Sequence, residues 1–584
     1  MRLLLNFALL CAVTFAAAAP KGLQAEEQDL KPFLTIQAAG VDTIISIIER
    51  FAGILIDEDT VKKNLAPFKN LQGINSKGNI SLALRSTENN ELELFAFLPI
   101  TDIEKAGIPG AEPVFDTIRA ALTKNGNAYS YKSPLGNYTV IQKMNYVVAA
   151  PEKAIAAVPA DPKKLFPEFE KQTFGTKLNF ENTSPEALET ILAPLGMLMT
   201  MAGNENAGEA FEMIHKALKK GFNEYSSLSV VYAVDAKSLD ITATISVAAK
   251  KGSSTDKKIA AQKNMKTAFN AFAGNPAKTI FSYNAANYIS ESEREEAKEA
   301  IDTLTDAFSE GFFEGLAGTI DEDDEKAVES FQKTAERITD SVKKILLATI
   351  AKDTADFGAS LDADGTALLA FTLGETDALI QLVRDGIKLA QQAAGSKIDF
   401  DVKKYVTNDY ETVAGYKVSK IIVPVKDIIA AGGGKVNDDI PAMVKAMTLG
   451  GFWAVKKNEA VAAAFGFDID KTEKTFKAAL EATTAPVKLP PAAMTLSARP
   501  IGKFLQQFVV PMIPADLPDA EPLRQIAGSL AKADEDAKIE MLVNYAGTSA
   551  VSTVKISGKL VEVIVKAIGD NAKKTLNRGE IRDL

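Results

Sequence analysis

Near its C-terminus the chain repeats a hairpin pattern that it has already used near its middle, and this recurrence restricts the fold more than any other feature. Leu228, Val230, Tyr232 and Val234 alternate with small or polar neighbours; after a turn, Leu239, Ile241, Ala243, Ile245 and Val247 alternate again. The design returns as Ile539, Met541, Val543 and Tyr545, a turn at Gly547-Thr548, then Val554 and Ile556. Leu228 and Ile539 stand 311 positions apart, and so do Ile245 and Ile556. Side-chain parity therefore survives in both arms. That is informative, because a slip of one residue would turn every side chain to the other face.

Other segments match in the same order. Phe33-Leu34-Thr35-Ile36-Gln37-Ala38-Ala39 is similar to Ile280-Phe281-Ser282-Tyr283-Asn284-Ala285-Ala286. Leu94-Phe95-Ala96-Phe97 before Asp102 is similar to Leu368-Leu369-Ala370-Phe371 before Asp377. Tyr146-Val147-Val148-Ala149, followed by Ala154-Ile155-Ala156-Ala157, is matched by Phe452-Trp453-Ala454-Val455 and Ala460-Val461-Ala462-Ala463. Lys177-Leu178-Asn179 is matched by Thr495-Leu496-Ser497. Shared order across weak matches is the signature of a tandem repeat.

Each half then reads as strand, helices, hairpin, helix, more strands, a helix, a strand, a long helical stretch and a closing hairpin. The long stretches are 185–221 and 501–531. In the first, Leu188, Ile191, Leu192, Leu195, Leu198 and Met199 keep helical spacing, with Thr183 or Ser184 as a cap before Pro185. The expected class is α+β: two similar tandem modules of antiparallel sheet packed with helices. The expected boundaries are a signal peptide at 1–25, a first module at 26–250, a connecting segment at 251–275, a second module at 276–570 and a polar tail at 571–584. The break near Lys250-Lys251-Gly252-Ser253-Ser254 is polar and follows a strand. Residues 290–347 read as a highly charged helical region. Its acidic run, Asp321-Glu322-Asp323-Asp324-Glu325, reads as a solvated turn with carboxylates near a helix start.

The N-terminus reads as a cleavable export signal. Arg2 supplies a positive start, and the apolar stretch 3–16 is too short to span a bilayer. Small residues follow, and cleavage is expected after Ala25, with a cut just before Pro20 as the alternative. The only Cys, Cys11, lies inside this segment, so the mature chain would hold no thiol and no disulfide. Leu10 precedes Cys11 where a lipoprotein anchor would need a small residue. The expected destination is the periplasm or cell envelope, with no transmembrane anchor after cleavage. The run 345–350 is bounded by Lys343-Lys344 and Lys352 and reads as the buried face of a helix.

Charge and composition narrow the function classes. The chain carries a net −10, and removal of Arg2 and Lys21 leaves −12, with basic residues mostly in isolated doublets. A phosphate-binding surface needs a basic stripe, so nucleic acid is not an expected partner. Hydrophobic residues at 46% and charged residues at 24% suit a globular chain with substantial cores.

No catalytic, cofactor-binding or metal-binding residue, and no cofactor, is assigned from the sequence. His215 is the only His and has no Cys beside it for a zinc site and no nucleophile motif, so it reads as structural or superficial. Asp362-Ala363-Asp364-Gly365 and Asp468-Ile469-Asp470 lack the full calcium loop; a hairpin tip and a helix cap account for them. Gly432-Gly433-Gly434-Lys435 lacks the spaced Gly and the Ser or Thr of a phosphate loop, and reads as a flexible connection. Trp453, the only Trp, stands in an apolar strand and reads as core. A sugar-binding platform would want several exposed aromatics, and aromatic content is 7%. With 76 acidic residues, no particular carboxylate pair stands out for hydrolysis.

The ordered motifs also resemble a group of exported, uncharacterised proteins of planctomycete-type bacteria. The likeness rests on Leu98-Pro99-Ile100-Thr101-Asp102 after a hairpin and on Val147-Val148-Ala149-Ala150-Pro151-Glu152. It continues in Pro159-Ala160-Asp161-Pro162 and in the strand entering a helix at Pro185. It is clearest over 73–248. The resemblance implies export and the duplicated design, and brings no activity or binding residue with it.

The expected function is an exported, non-enzymatic protein with a structural or interaction role, its partners being envelope proteins or a small ligand. The alternative is a binding protein for a small or apolar ligand held between sheet and helices. A carboxylate-based hydrolase is third.

Overall fold

A computed structural model describes residues 31–69, 71–87, 92–107, 112–133, 136–159, 166, 172–187, 216, 219, 221–275, 277–317, 325–393, 404–427, 447–513 and 520–566. The segment read as an export signal, Cys11, His215, the Gly432–Lys435 loop and most of the 185–221 stretch lie outside the described residues. The class is α+β, with antiparallel sheet and helices. The chain divides into two compact units, 1–256 with 546–584 and 257–545. The sequence reading puts the boundary at 250 and carries the second module to 570; the structure divides the chain at 256 and groups the chain from Ala546 with the first unit.

The first unit contains β1 (Leu34–Ala38), β2 (Ile80–Ser86), β3 (Leu92–Leu98), β4 (Thr123–Asn125) and β5 (Ala128–Ser133). It continues with β6 (Gly136–Lys143), β7 (Tyr146–Pro151), β8 (Phe174–Asn179), β9 (Tyr225–Val234) and β10 (Ile241–Ala249). These strands pair antiparallel in the order β4-β5-β6-β7-β3-β2-β1-β8-β9-β10. Helices α1 (Val41–Leu55) and α2 (Glu58–Leu65) follow β1, and α3 (Glu112–Ala121) follows β3. Asp57 starts α2 by accepting the Thr60 N–H at 2.8 Å. At the mouth of the 185–221 stretch, Ser184 Oγ accepts the Ala187 N–H at 3.1 Å, with Pro185 in the first turn. Alternation in β1 to β3 sends Ala83, Phe95 and Phe97 to one face, where they pack with Val148, Ala150 and Phe166. The Phe97 and Phe166 rings meet edge to face at 5.9 Å.

The second unit opens with α4 (Ser254–Gln262), whose first residues straddle the division, and β11 (Thr279–Tyr288). Helices α5 (Glu291–Ala317) and α6 (Glu325–Ile350) follow, so the charged region is helical where it is described; residues 318–324, with most of the acidic run, lie outside the described residues. Ser290 and Glu293 form a reciprocal cap at the start of α5: Glu293 accepts the Ser290 N–H at 2.9 Å, and Ser290 Oγ accepts the Glu293 N–H at 3.4 Å. Then come β12 (Thr354–Asp362), β13 (Ala367–Thr372), α7 (Thr376–Ala393), β14 (Val406–Val413), β15 (Tyr416–Pro424), β16 (Thr448–Lys456) and β17 (Ala460–Gly466). The unit closes with α8 (Ile469–Ala482), β18 (Ala492–Ser497), α9 (Ala498–Phe504), α10 (Ala520–Ala531) and β19 (Lys538–Ala546). Its ladder runs β14-β15-β16-β17-β13-β12-β11-β18-β19, antiparallel throughout. The last strand, β20 (Ser549–Ile556), belongs to the first unit and pairs antiparallel with β10.

One face of the second sheet is closed by α8, whose Thr472, Phe476, Ala479 and Leu480 recur at helical spacing and are buried. The segment read as a connection, 251–275, adds to this core. Phe269 and Phe272 lie at a 3₁₀ turn, Asn270–Ala273, and pack with Phe452, Ala454, Phe476 and Leu480. Two aromatics and a β-bridge from Thr267 to Val487 make it part of the fold and not a linker. This turn approaches β12 so closely that a Cβ on Gly358 would stand 2.2 Å from the Phe269 carbonyl oxygen, which restricts that position to glycine.

The 501–531 stretch departs from expectation. It is α9, a π-turn at Leu505–Val509, a 3₁₀ turn at Val510–Met512, and then α10 after a gap in the described residues. Pro511 supplies the reason, since it lacks the N–H a continuing helix needs and its ring crowds the preceding turn. Among the described residues no helix is long and apolar enough to cross a membrane.

Candidate functional site

The feature that sets this chain apart is what each sheet does with its second face. An antiparallel sheet packed on one side normally alternates apolar inside with polar outside. Here, among the described residues, one parity is enclosed over much of the sheet and the other carries apolar rows that stay half-exposed.

In the second unit, strand register lines up two rows on the face opposite the α8 core. The first runs Ile421, Gly451, Phe465, Ala367, Leu361, Phe281, Leu496 and Ile539 across eight strands. The second begins at Ser419 and continues with Trp453, Ala463, Leu369, Ala359, Tyr283, Met494 and Met541. At about 4.8 Å per strand these rows reach roughly 35 Å. Neither row contains a charged residue. Their large side chains are half-buried, and Phe465 is 49% exposed, whereas their strand neighbours Phe452, Ala454, Ala464 and Ala370 on the opposite face are fully enclosed. Tyr283 bridges the aromatic members, with ring centroids 6.4 Å from Phe281 and 5.4 Å from Phe357. In the next row Val461 and Ala285 are buried, so the open zone has a limit.

The first unit carries comparable rows on one parity, while its other parity is more polar, with Thr35, Gln37 and Ser81 buried there. One row runs Leu94, Leu84, Leu34, Leu178, Leu228 and Val247; its neighbour runs Ala96, Leu82, Ile36, Thr176, Val230 and Ile245. Most of these side chains are half-buried; Ile245 is 46% exposed, and Tyr232 on the same face 45%. Single exposed apolar residues are ordinary, but contiguous rows mark a surface meant to be covered.

Trp453 therefore corrects the sequence reading. Strand parity sends Phe452 and Ala454 into the core and turns Trp453 to the open face, where it is half-buried. The Asp-rich motifs fall where the chain needs turns and caps. Asp362, Asp364 and Gly365 form the β12–β13 tip, Gly365 at φ +84°, and Lys471 pairs with Asp364. Burial pushes the Asp362 carboxyl above its ordinary value, against the pull of Lys471 and Lys278. Asp468 caps α8, its side chain accepting the Lys471 N–H at 3.0 Å.

The conspicuous ionic clusters also join elements. Tyr410 donates to Glu473 at 2.9 Å, and Lys477 pairs with Glu411 and, at 2.8 Å, with Glu473, tying β14 to α8. Burial, and then the Glu473 carboxylate, raise Tyr410; hydrogen bonds to Glu411 and Glu473 raise Lys477. Buried Asp385 of α7 receives Arg337 of α6 at 2.9 Å and the Gln381 amide at 2.8 Å. Among the described residues, no three His, Cys, Asp or Glu side chains gather as a metal site would require. No protein-family model, curated protein or solved structure matches the chain.

Proposed function

We propose that this is an exported, non-enzymatic binding protein for a lipid acyl chain, built from two copies of one module and working in the periplasm or envelope. The observation that carries the reading is the pair of uncharged, half-exposed rows that run across eight strands of the second sheet. The strand N–H and C=O groups are spent in the ladders, and the rows of side chains offer almost no donor or acceptor. A ligand lying there must need no polar partner, which describes a methylene chain. Each methylene laid on such a bed contributes up to about 0.8 kcal/mol.

Duplication is supported by two independent features. Both ladders follow one scheme: a four-stranded meander, the third strand, the second, the first, then the strand that precedes the closing hairpin. The β10–β20 register places Ile241 opposite Ile556 and Ile245 opposite Ser552. At the 311-residue offset Ile241 corresponds to Ser552 and Ile245 to Ile556, so each strand meets its own counterpart about a local two-fold. Export rests on the N-terminal segment with its short apolar core.

Trp453 lies in the proposed bed and is the only Trp, so it reports directly. Delipidated full-length mature protein titrated with dibrominated stearate should lose Trp453 fluorescence, and unlabelled palmitate should restore it. Phe465→Glu should weaken both effects. Absence of quenching, or recovery of a tightly bound protein partner in place of lipid after gentle purification, would overturn the lipid reading.

A further inference from the structure

The first unit has a second kind of surface, distinct from the apolar bed. A cleft of about 290 Å³ opens between the turn after β3, the β4–β5 hairpin and the β6–β7 hairpin. That volume lies at the small end of ligand sites, which suits one compact molecule. Its floor is apolar: Val140 and Val147 are buried and Ile141 is half-buried. The Tyr129 ring also lines it. The rim is polar and set by local bonds. Tyr129 donates its hydroxyl to Glu104 Oε1 at 2.6 Å, and Lys124 Nζ reaches the same oxygen at 3.2 Å. The two N–H groups of the Gln142 amide are shared among the carbonyls of Ile100, Met144 and Tyr146, all within hydrogen-bond reach, which fixes that side chain and leaves its oxygen as an acceptor. Asn127 and Thr101 complete the rim, and nothing fills the space beside Gly126, at φ +63°.

The charges in the cleft cancel in pairs. Glu104 is matched by Lys124, and Asp102 by Lys105 at 2.8 Å. An ionic ligand would have to displace one of these pairs. A neutral ligand would leave them intact and use the remaining lone pairs of Glu104 and Gln142, the Asn127 amide and the Thr101 hydroxyl. An apolar floor with an aromatic ring, edged by planar amide and carboxylate groups, complements a molecule with C–H faces and a hydroxylated perimeter. We propose that this cleft binds a neutral pyranose ring. The low aromatic content of the chain does not bear on this, because one ring on an apolar floor is enough for a single sugar.

The test uses full-length mature protein and does not depend on lipid binding, since none of the residues lining the cleft belongs to the apolar rows of either sheet. Saturation-transfer NMR is run with methyl β-D-glucopyranoside and methyl α-D-mannopyranoside, with cyclohexanol and leucine as apolar and zwitterionic controls. Transfer to the ring C–H protons of at least one glycoside is expected, with affinity falling about tenfold in Tyr129→Ala and in Asn127→Ala. Asn127 stands in an exposed turn, so its variant keeps the test valid should Tyr129→Ala misfold. The proposal is overturned by no transfer to either glycoside, by equal binding in both folded variants, or by a control that binds as well as the sugars.

Discussion

Asp356 shows how a half-buried carboxylate can be held for position at some cost in stability. It accepts the Thr267 hydroxyl at 2.7 Å and the Ala268 N–H at 2.6 Å, and so anchors the segment that brings Phe269 and Phe272 to the core. Burial nevertheless pushes its carboxyl above the ordinary aspartate value of 3.8. A folded-state pKa above the unfolded one means that the native protein holds the proton more tightly. The contribution to stability is therefore full below 3.8 and declines as pH rises through the elevated folded value. Asp356→Asn should remove that part of the pH dependence. Urea unfolding followed through Trp453 at a series of pH values measures it, and an unaltered slope would refute the assignment. Nothing in the sequence marks Asp356 for this role, because its partners lie 88 and 89 residues away.

At the scale of elements, the close passage of the Asn270–Ala273 turn over β12 decides the packing of the second core. Gly358→Ala would push a methyl group into the Phe269 carbonyl, and overpacking of this kind costs about 1–3 kcal/mol. The same urea transition should shift by that amount, whereas a neutral outcome would mean the turn can move aside. Strands and hairpins were legible because their alternation is a period-2 signal that survives at a constant offset. Helices α5 and α6 were legible from charge and spacing. The 501–531 stretch was misjudged because the helical pattern of its ends outweighed Pro511 and Pro514 between them. The 251–275 segment was misjudged for the opposite reason. Its polar start reads as a linker, and only three-dimensional packing shows that Phe269 and Phe272 are plugs.

For the whole molecule, the terminal strands of the two ladders decide whether copies join edge to edge. At one end of the first ladder stands β4, three exposed residues long. At one end of the second stands β14, interrupted by a register shift between Thr407 and Glu411, with Asp409 at φ +45°. Short or bulged ends resist edge pairing. The purified protein should therefore elute as a monomer by size-exclusion chromatography with light scattering, at a mass independent of concentration. A concentration-dependent dimer would contradict this. The candidate site was only half legible at this scale. Phe452-Trp453 reads as an apolar strand with Trp453 in the core, because sequence alone does not say which side of such a strand is closed. The cleft was invisible, since its groups come from three separate stretches of chain.

Apolar rows left half-exposed would make emptiness the expensive state. Cargo settled on the open rows would complete a layer that the polypeptide leaves unfinished, so loading and thermal endurance would rise together. On the lipid-binding proposal, delivery of the cargo would also loosen the carrier, and the unladen chain would be the form most exposed to proteases.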